Sequence, residues 1–199
     1  MNKDDFYELV ASRKSIRKYK TKAISRDILE RVLEAGLHAP SGKNKQNWRY
    51  FVVSGKKRDE YIKLSQKSWL GIKDILEKKL KPSLYAFTER YFYTLGDAPV
   101  IIFCYSVNDP EEKYLTSIGS VYMSVQNMIL AAVAEGLGTC PMGAPLEIKN
   151  DVNRFLEIEK YENEEGQKME LLCALVLGWP DHEPPKADRQ REYRIHYID

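Results

Sequence analysis

The sequence is poor in the residues from which metal centres and covalent catalysts are built. Its three cysteines, Cys104, Cys140 and Cys173, lie far apart and form no CxxC pair, so neither zinc nor an iron–sulfur cluster finds its usual ligand spacing. An odd cysteine count in apolar stretches argues against a disulfide framework and for a reducing compartment. The three histidines, His38, His182 and His196, are scattered, which suits structural or surface roles better than acid–base catalysis. An excess of charge is missing too: 31 Lys and Arg against 29 Asp and Glu leave +2, too little to point to nucleic acid or a membrane as partner. No apolar run reads as long enough to cross a bilayer, and a start carrying Lys3, Asp4, Asp5 and Glu8 is no signal peptide. These absences lead to the expectation of a soluble, cytoplasmic protein of α/β type. Residues 1–199 read as one domain without repeat or linker.

What is present is strongly patterned. Residues 4–12 read as a short helix with Phe6, Leu9 and Val10 on one face. Ser25 is a credible cap for a helix over residues 26–38, whose apolar stripe includes Ile28, Leu29, Val32 and Leu33. Residues 48–54, 100–107 and 169–178 read as strands, the last two nearly all apolar and so suited to a sheet interior. Residues 114–135 carry apolar positions at helical spacing, with Gly136 placed to cap the end. Pro145 can start a further helix to about residue 156. Residues 56–95 read as a looser helical region, interrupted at Gly71 and Pro82 and rich in aromatics from Trp69 to Tyr93. In the tail, Tyr193, Ile195 and Tyr197 alternate with Arg194 and His196, a period-two pattern that predicts a strand in need of a sheet edge.

Two polar stretches stand out against this frame. Pro40 stops the helix before it, and the chain turns through Ser41, Gly42, Asn44 and Gln46 before Trp48. The basic segment Arg13, Lys14, Ser15, Ile16, Arg17 could complement the end of the first helix, or could converge on a phosphate. Gly136 and Gly138 do not form a dinucleotide fingerprint, because they leave a helix instead of opening one.

Taken in order, these segments resemble the nitroreductase family of flavin enzymes. The resemblance is carried by Ser12-Arg13-Lys14-Ser15-Ile16-Arg17, by residues 39–48, by Asp97-Ala98-Pro99, and by Gln126-Asn127 with Gly136-Leu137-Gly138-Thr139. Gly178-Trp179-Pro180 and the basic tail complete it. It implies an α+β fold, a central, mostly antiparallel sheet flanked by helices. It also implies an intertwined homodimer with C-terminal strand exchange and FMN at the interface. On that resemblance Arg13, Lys14, Ser15 and Arg17 contact FMN, with Arg17 near the N1–C2=O edge, where a fixed cation stabilises the charge that reduction places there. Arg189 and Arg191 complete the phosphate clamp. Pro40, Ser41 and Gly42, with Asn44 beside them, reach FMN from the other subunit, while Asn44 and Gln46 can also brace the loop. Met142 or Gly143 presents a backbone N–H to flavin N5. The chain departs from its relatives at Ser117, where many have Asp, and at Asn47, where many have Pro.

The activity implied is hydride transfer from NADH or NADPH through flavin N5 to a nitroaromatic, quinone or similar small aromatic electron acceptor, by a ping-pong mechanism. Two other classes share the residues. One is a flavin-binding protein that stores, senses or degrades FMN; the other is an interaction domain whose basic segments only solvate helix ends.

Overall fold

The computed structural model describes residues 2–108, 113–162, 168–185, 189 and 194–198. Among these, six α-helices and a four-stranded sheet form one layered unit. The helices are α1 (Lys3–Ser12), α2 (Arg26–Leu37), α3 (Gly55–Lys79), α4 (Pro82–Thr94), α5 (Tyr114–Ala134) and α6 (Lys149–Leu156). The strands are β1 (Trp48–Ser54), β2 (Val100–Val107), β3 (Gly138–Met142) and β4 (Met169–Gly178). The sheet order is β1-β2-β4-β3 and each neighbouring pair is antiparallel. That corrects the α/β expectation drawn from composition: consecutive strands are linked by helices, yet no parallel ladder forms. The fold is α+β.

Local chemistry explains most element ends. Asn2 and Asp5 form a reciprocal capping box at the start of α1, with N–H to carboxylate and N–H to amide distances of 2.7 and 2.9 Å. Ser25 caps α2 through the Ile28 N–H. Pro82 opens α4 at a position where its missing N–H costs nothing. Gly136 follows α5 with φ +76, as its capping role requires. Gly71 interrupts nothing, contrary to expectation. It lies inside the 25-residue α3, which is held down by buried Tyr61, Ser65, Ser68 and Trp69. The helix expected from Pro145 begins instead as a 3-10 turn, Ala144–Ile148, and becomes α6 only at Lys149.

The sheet is buried on both faces. Val100, Ile102 and Cys104 of β2 meet Val32, Val121, Val125 and Met128 of α2 and α5. Ile101, Phe103 and Tyr105 face the other way, into a cluster with Tyr61 and Tyr91 of α3 and α4 and Val152 of α6. Full burial of an aliphatic side chain of this size stabilises the fold by about 1.5–3 kcal/mol. The 21-residue α5 is long and apolar enough to cross a bilayer by composition alone, which corrects the reading that no such run exists. In this fold it is a core helix. Its Ser120 and Ser124 hydroxyls donate to the Thr116 and Gly36 carbonyls at 2.8 and 2.6 Å.

Residues 15–19 run alongside the sheet as an extended segment. The Ile16 N–H donates to Thr139 O, the Tyr19 N–H to Gly96 O and the Lys20 N–H to Trp179 O, all at 2.8 Å. Two glycines make the approach possible. A Cβ on Gly96 would lie 2.2 Å from the Arg17 carbonyl oxygen, and Gly96 has φ +63. A Cβ on Gly138 would lie 2.5 Å from Ile16 Cγ1. Left-handed strain and overpacking each cost about 1–3 kcal/mol, so Gly96→Ala is expected to lower unfolding free energy by about 2–6 kcal/mol. Gly71→Ala, with open space around its site, is expected to raise it by about 0.5–1 kcal/mol. Urea denaturation of both variants checks the pair. Equal effects would contradict the close-approach account.

Candidate functional site

In the basic segment, Ile16 and Tyr19 enter the core while Arg13, Ser15 and Arg17 line a cavity of about 860 Å³. Lys14, Gln126, Pro184, Pro185 and Arg189 complete its wall. The cations here are not equivalent. Lys14 is paired with Glu183 at 2.8 Å and Lys18 with Asp181 at 2.6 Å, both carboxylates belonging to the tail. Arg13 and Arg17 have no carboxylate partner among the described residues. Two guanidinium groups, a hydroxyl and Arg189 around a cavity form a donor set suited to a phosphate-bearing ligand. Arg191 lies outside the described residues.

Arg17 also lines a second cavity, of about 530 Å³, and so stands where the two meet. This second space is walled by Leu76, Leu80, Leu84, Phe87, Tyr91 and Phe92 of the α3–α4 hairpin. Its floor is Cys140, Pro141, Met142, Gly143 and Ala144. Because Thr139 O accepts from Ile16, the outward-facing positions of edge strand β3 are Thr139, Pro141 and, by alternation, Gly143. Pro141 is therefore on the side where no ladder N–H is needed. The Gly143 N–H has no acceptor among the described residues, and a Cβ there would meet nothing within 4 Å. Met142 is buried and accepts a hydrogen bond at its sulfur from Tyr91 Oη, 3.4 Å away. Of the aromatics between Trp69 and Tyr93, Trp69 is fully buried against Tyr85 and Phe92, whereas Phe87 and Tyr91 reach the cavity.

The loop of Pro40, Ser41, Gly42 and Asn44 lines neither cavity of its own chain. It is docked on α5 instead: the Gly42 N–H donates to Ser120 Oγ at 3.2 Å, and Asn47 is bound one turn earlier. Asn47 Nδ2 donates to Ser117 Oγ at 2.6 Å and to Ser106 Oγ at 2.8 Å in a buried cluster. Ser117 and Asn47, the two positions where the resemblance breaks, are thus one coupled contact. Within the loop, Ser41 Oγ accepts the Gln46 N–H and Asn44 Oδ1 accepts from Gln46 Nε2. Asn44 and Gln46 brace it. Lys43, Asn44 and Gln46 all have φ near +50, so the loop holds strain that β-strand and helix neighbours do not.

Sequence reasoning missed Gly96, Gly138 and Thr139 as the residues that seat the basic segment. Two of them lay inside a motif already singled out, but a close tertiary approach leaves no mark in a local pattern. Among the described residues no group of His, Cys, Asp and Glu is placed to hold a metal ion.

Antiparallel sheet, paired cavities and basic segment together define a class, and comparison with known proteins agrees with it. Residues 10–179 match the Nitroreductase family, and the chain belongs to that family. Among its relatives, an iodotyrosine deiodinase of Thermotoga neapolitana is 29% identical over 186 residues, 92% of each chain. A 4-nitrobenzoate reductase of Pseudomonas putida is 23% identical over 89% of this chain and 86% of its own. Among solved structures, the FMN-dependent nitroreductase NfnB from Mycobacterium smegmatis in complex with NADPH has a TM-score of 0.77 at 17% identity. It covers 98% of this chain and 99% of its own. A nitroreductase with bound FMN from Desulfitobacterium hafniense has a TM-score of 0.72 at 25% identity, with both chains fully covered.

Cys140 borders the cavity yet is a poor nucleophile. Burial pushes its thiol above the usual cysteine range, more strongly than the Arg17 guanidinium and the Tyr91 hydroxyl pull it down. A thiol held neutral in the fold but free to ionise when unfolded stabilises the protein at neutral pH. That contribution is lost as pH rises above the ordinary thiol value of about 8.5. Iodoacetamide at pH 8.5 is therefore expected to label Cys140 more slowly than free glutathione, since burial both lowers the thiolate fraction and limits access. Labelling at the rate of glutathione would show the thiol to be exposed and activated.

Proposed function

We propose that this chain is an FMN-dependent oxidoreductase that uses NADH or NADPH to reduce a small aromatic electron acceptor. The observation that carries the reading is Arg17, which joins a cavity suited to an anion to an apolar cavity floored by a free backbone N–H. The family and its FMN-bound neighbour support it. FMN, when bound, supplies the two-electron chemistry, taking hydride from the nicotinamide and passing it on at N5.

The protein's own groups then have separable roles. Arg13, Ser15 and Arg189, with Lys14 held beside them by Glu183, bind the phosphate and ribityl chain, and Arg191 joins them by resemblance. Arg17 places a fixed positive charge at the ring edge. The Gly143 N–H, with Met142 buried behind it, is available to donate to the ring. Apolar side chains of α3 and α4 exclude water and give a planar molecule a surface to pack on. One cavity must serve the donor and then the electron acceptor, which gives a ping-pong order. With a nitro compound the balance is R–NO2 + NAD(P)H + H⁺ → R–NO + NAD(P)⁺ + H2O. With an aryl iodide, suggested by the deiodinase relatives, it is Ar–I + NAD(P)H → Ar–H + NAD(P)⁺ + I⁻.

The unit is a homodimer in this reading, and the location cytoplasmic. Its exposed apolar side chains include Phe6, Tyr7 and Val10 on α1 and Leu115, Tyr122 and Met123 on α5. Strand β1 has a free edge. Residues 194–198 form no strand in the single chain, and Tyr193 lies outside the described residues. A partner's β1 edge is the sheet edge that this tail requires, and a partner's Pro40, Ser41, Gly42 and Asn44 loop completes the cavity.

The purified protein is expected to be yellow and to bleach on addition of NADH or NADPH, then regain colour with a nitroaromatic, a quinone or an iodotyrosine. A flavin that stays oxidised would leave only FMN binding or storage. Replacing both Arg13 and Arg17 by Ala removes two charge-assisted contacts of about 1.5 kcal/mol or more each, so FMN affinity is expected to fall roughly a hundredfold. Unchanged affinity by fluorescence titration would refute the assignment of the basic segment.

A further inference from the structure

The apolar cavity contains a charge that the oxidoreductase reading does not use. Its charged lining residues are Arg17 and Glu147. Glu147 sits in the 3-10 turn Ala144–Ile148, one turn past the Gly143 N–H, on the floor opposite Leu80, Leu84 and Phe87. No cation pairs with it among the described residues, although Lys149 and Arg154 follow it closely in the chain. Arg154 is taken by Asp151 and Lys67 by the same Asp151. Resting on the proposed function, Arg17 is occupied by the cofactor, so Glu147 sets the sign of the space left for the electron acceptor.

We propose that Glu147 selects electron acceptors that carry a positively charged group, such as an ammonium, on an apolar or aromatic body, and disfavours carboxylates. The physical basis is the contrast within the cavity. Leucine and phenylalanine side chains supply area but no direction, so a single unpaired carboxylate fixes which end of a planar molecule lies over the Gly143 side. It also raises the cost of bringing in a second carboxylate, by like-charge repulsion. The relatives that reduce 4-nitrobenzoate accept a negatively charged molecule. This chain is expected to differ from them in the charge it prefers. At a half-open site the attraction of one ligand and the repulsion of the other are each a few-fold, and together they amount to roughly tenfold.

The test compares three molecules of one shape: 4-nitrobenzylamine, 4-nitrobenzyl alcohol and 4-nitrobenzoate, protonated, neutral and anionic at pH 7. Calorimetric titration of the purified dimer gives their binding constants, and NADPH-driven turnover gives kcat/KM. The native chain is expected to prefer the amine over the benzoate by roughly tenfold. Glu147→Gln is expected to abolish that preference, Glu147→Lys to reverse it, and Glu77→Gln, on α3 outside the cavity, to leave it in place. Equal preference in the native chain, or a preference that survives both Glu147 substitutions, overturns the inference. Because the readout is the shift caused by the substitution, it can be taken by binding alone. Absence of turnover with all three molecules strikes the oxidoreductase reading, while a charge preference that moves with residue 147 still upholds this one.

Discussion

The structure depends on how closely the segment of residues 15–19 lies against the sheet. The backbone at Arg17 passes within side-chain distance of Gly96, and Ile16 rests on Gly138. A side chain on either glycine occupies the volume the segment needs. Hydrogen bonds to Thr139, Gly96 and Trp179 fix the backbone there. Hydrophobic Ile16 and Tyr19 anchor in the core, and Arg13, Ser15 and Arg17 beside them line the cavity. Placing three polar side chains by burying their neighbours is how a rigid element preorganises a binding site.

The tail and the loop after α2 complete the arrangement in different ways. Glu183 and Asp181 neutralise Lys14 and Lys18, so the tail both covers the segment and sorts its cations into paired and unpaired. The loop of residues 41–47 faces away from its own cavity and is strained, with three residues of positive φ, yet it is fastened to α5 by Ser117 and Ser120. A strained loop held rigid on a surface is a loop shaped for contact with something else. The twofold arrangement proposed for this family member gives it that contact.

Much of the fold was legible because burial writes itself into local pattern. The ends of β1, β2 and β4 follow from where apolar and β-branched runs start and stop, and Gly136 marks the end of α5. Strand β3 was not legible. Five residues containing Gly138 and Pro141 have no strand pattern of their own, and pairing with β4 is what makes them one. Gly71 misled for the converse reason: a helix anchored at Trp69 tolerates a residue that would end an isolated one. Of the site, the basic segment was visible as chemistry, and Met142–Gly143 only through the family resemblance. The apolar cavity and Glu147 were not, because its walls come from two helices and a turn more than fifty residues apart, and no local spacing records their meeting.

The central claim is geometric: Arg13, Ser15, Arg17 and the Gly143 N–H face one ligand. A crystal structure of the protein soaked with FMN addresses it directly. The account predicts a phosphate among Arg13, Ser15 and Arg189, a ring edge at Arg17, and N5 within hydrogen-bonding distance of the Gly143 nitrogen. FMN bound with its phosphate away from Arg13, or with residues 41–42 of the partner subunit remote from it, would contradict the account.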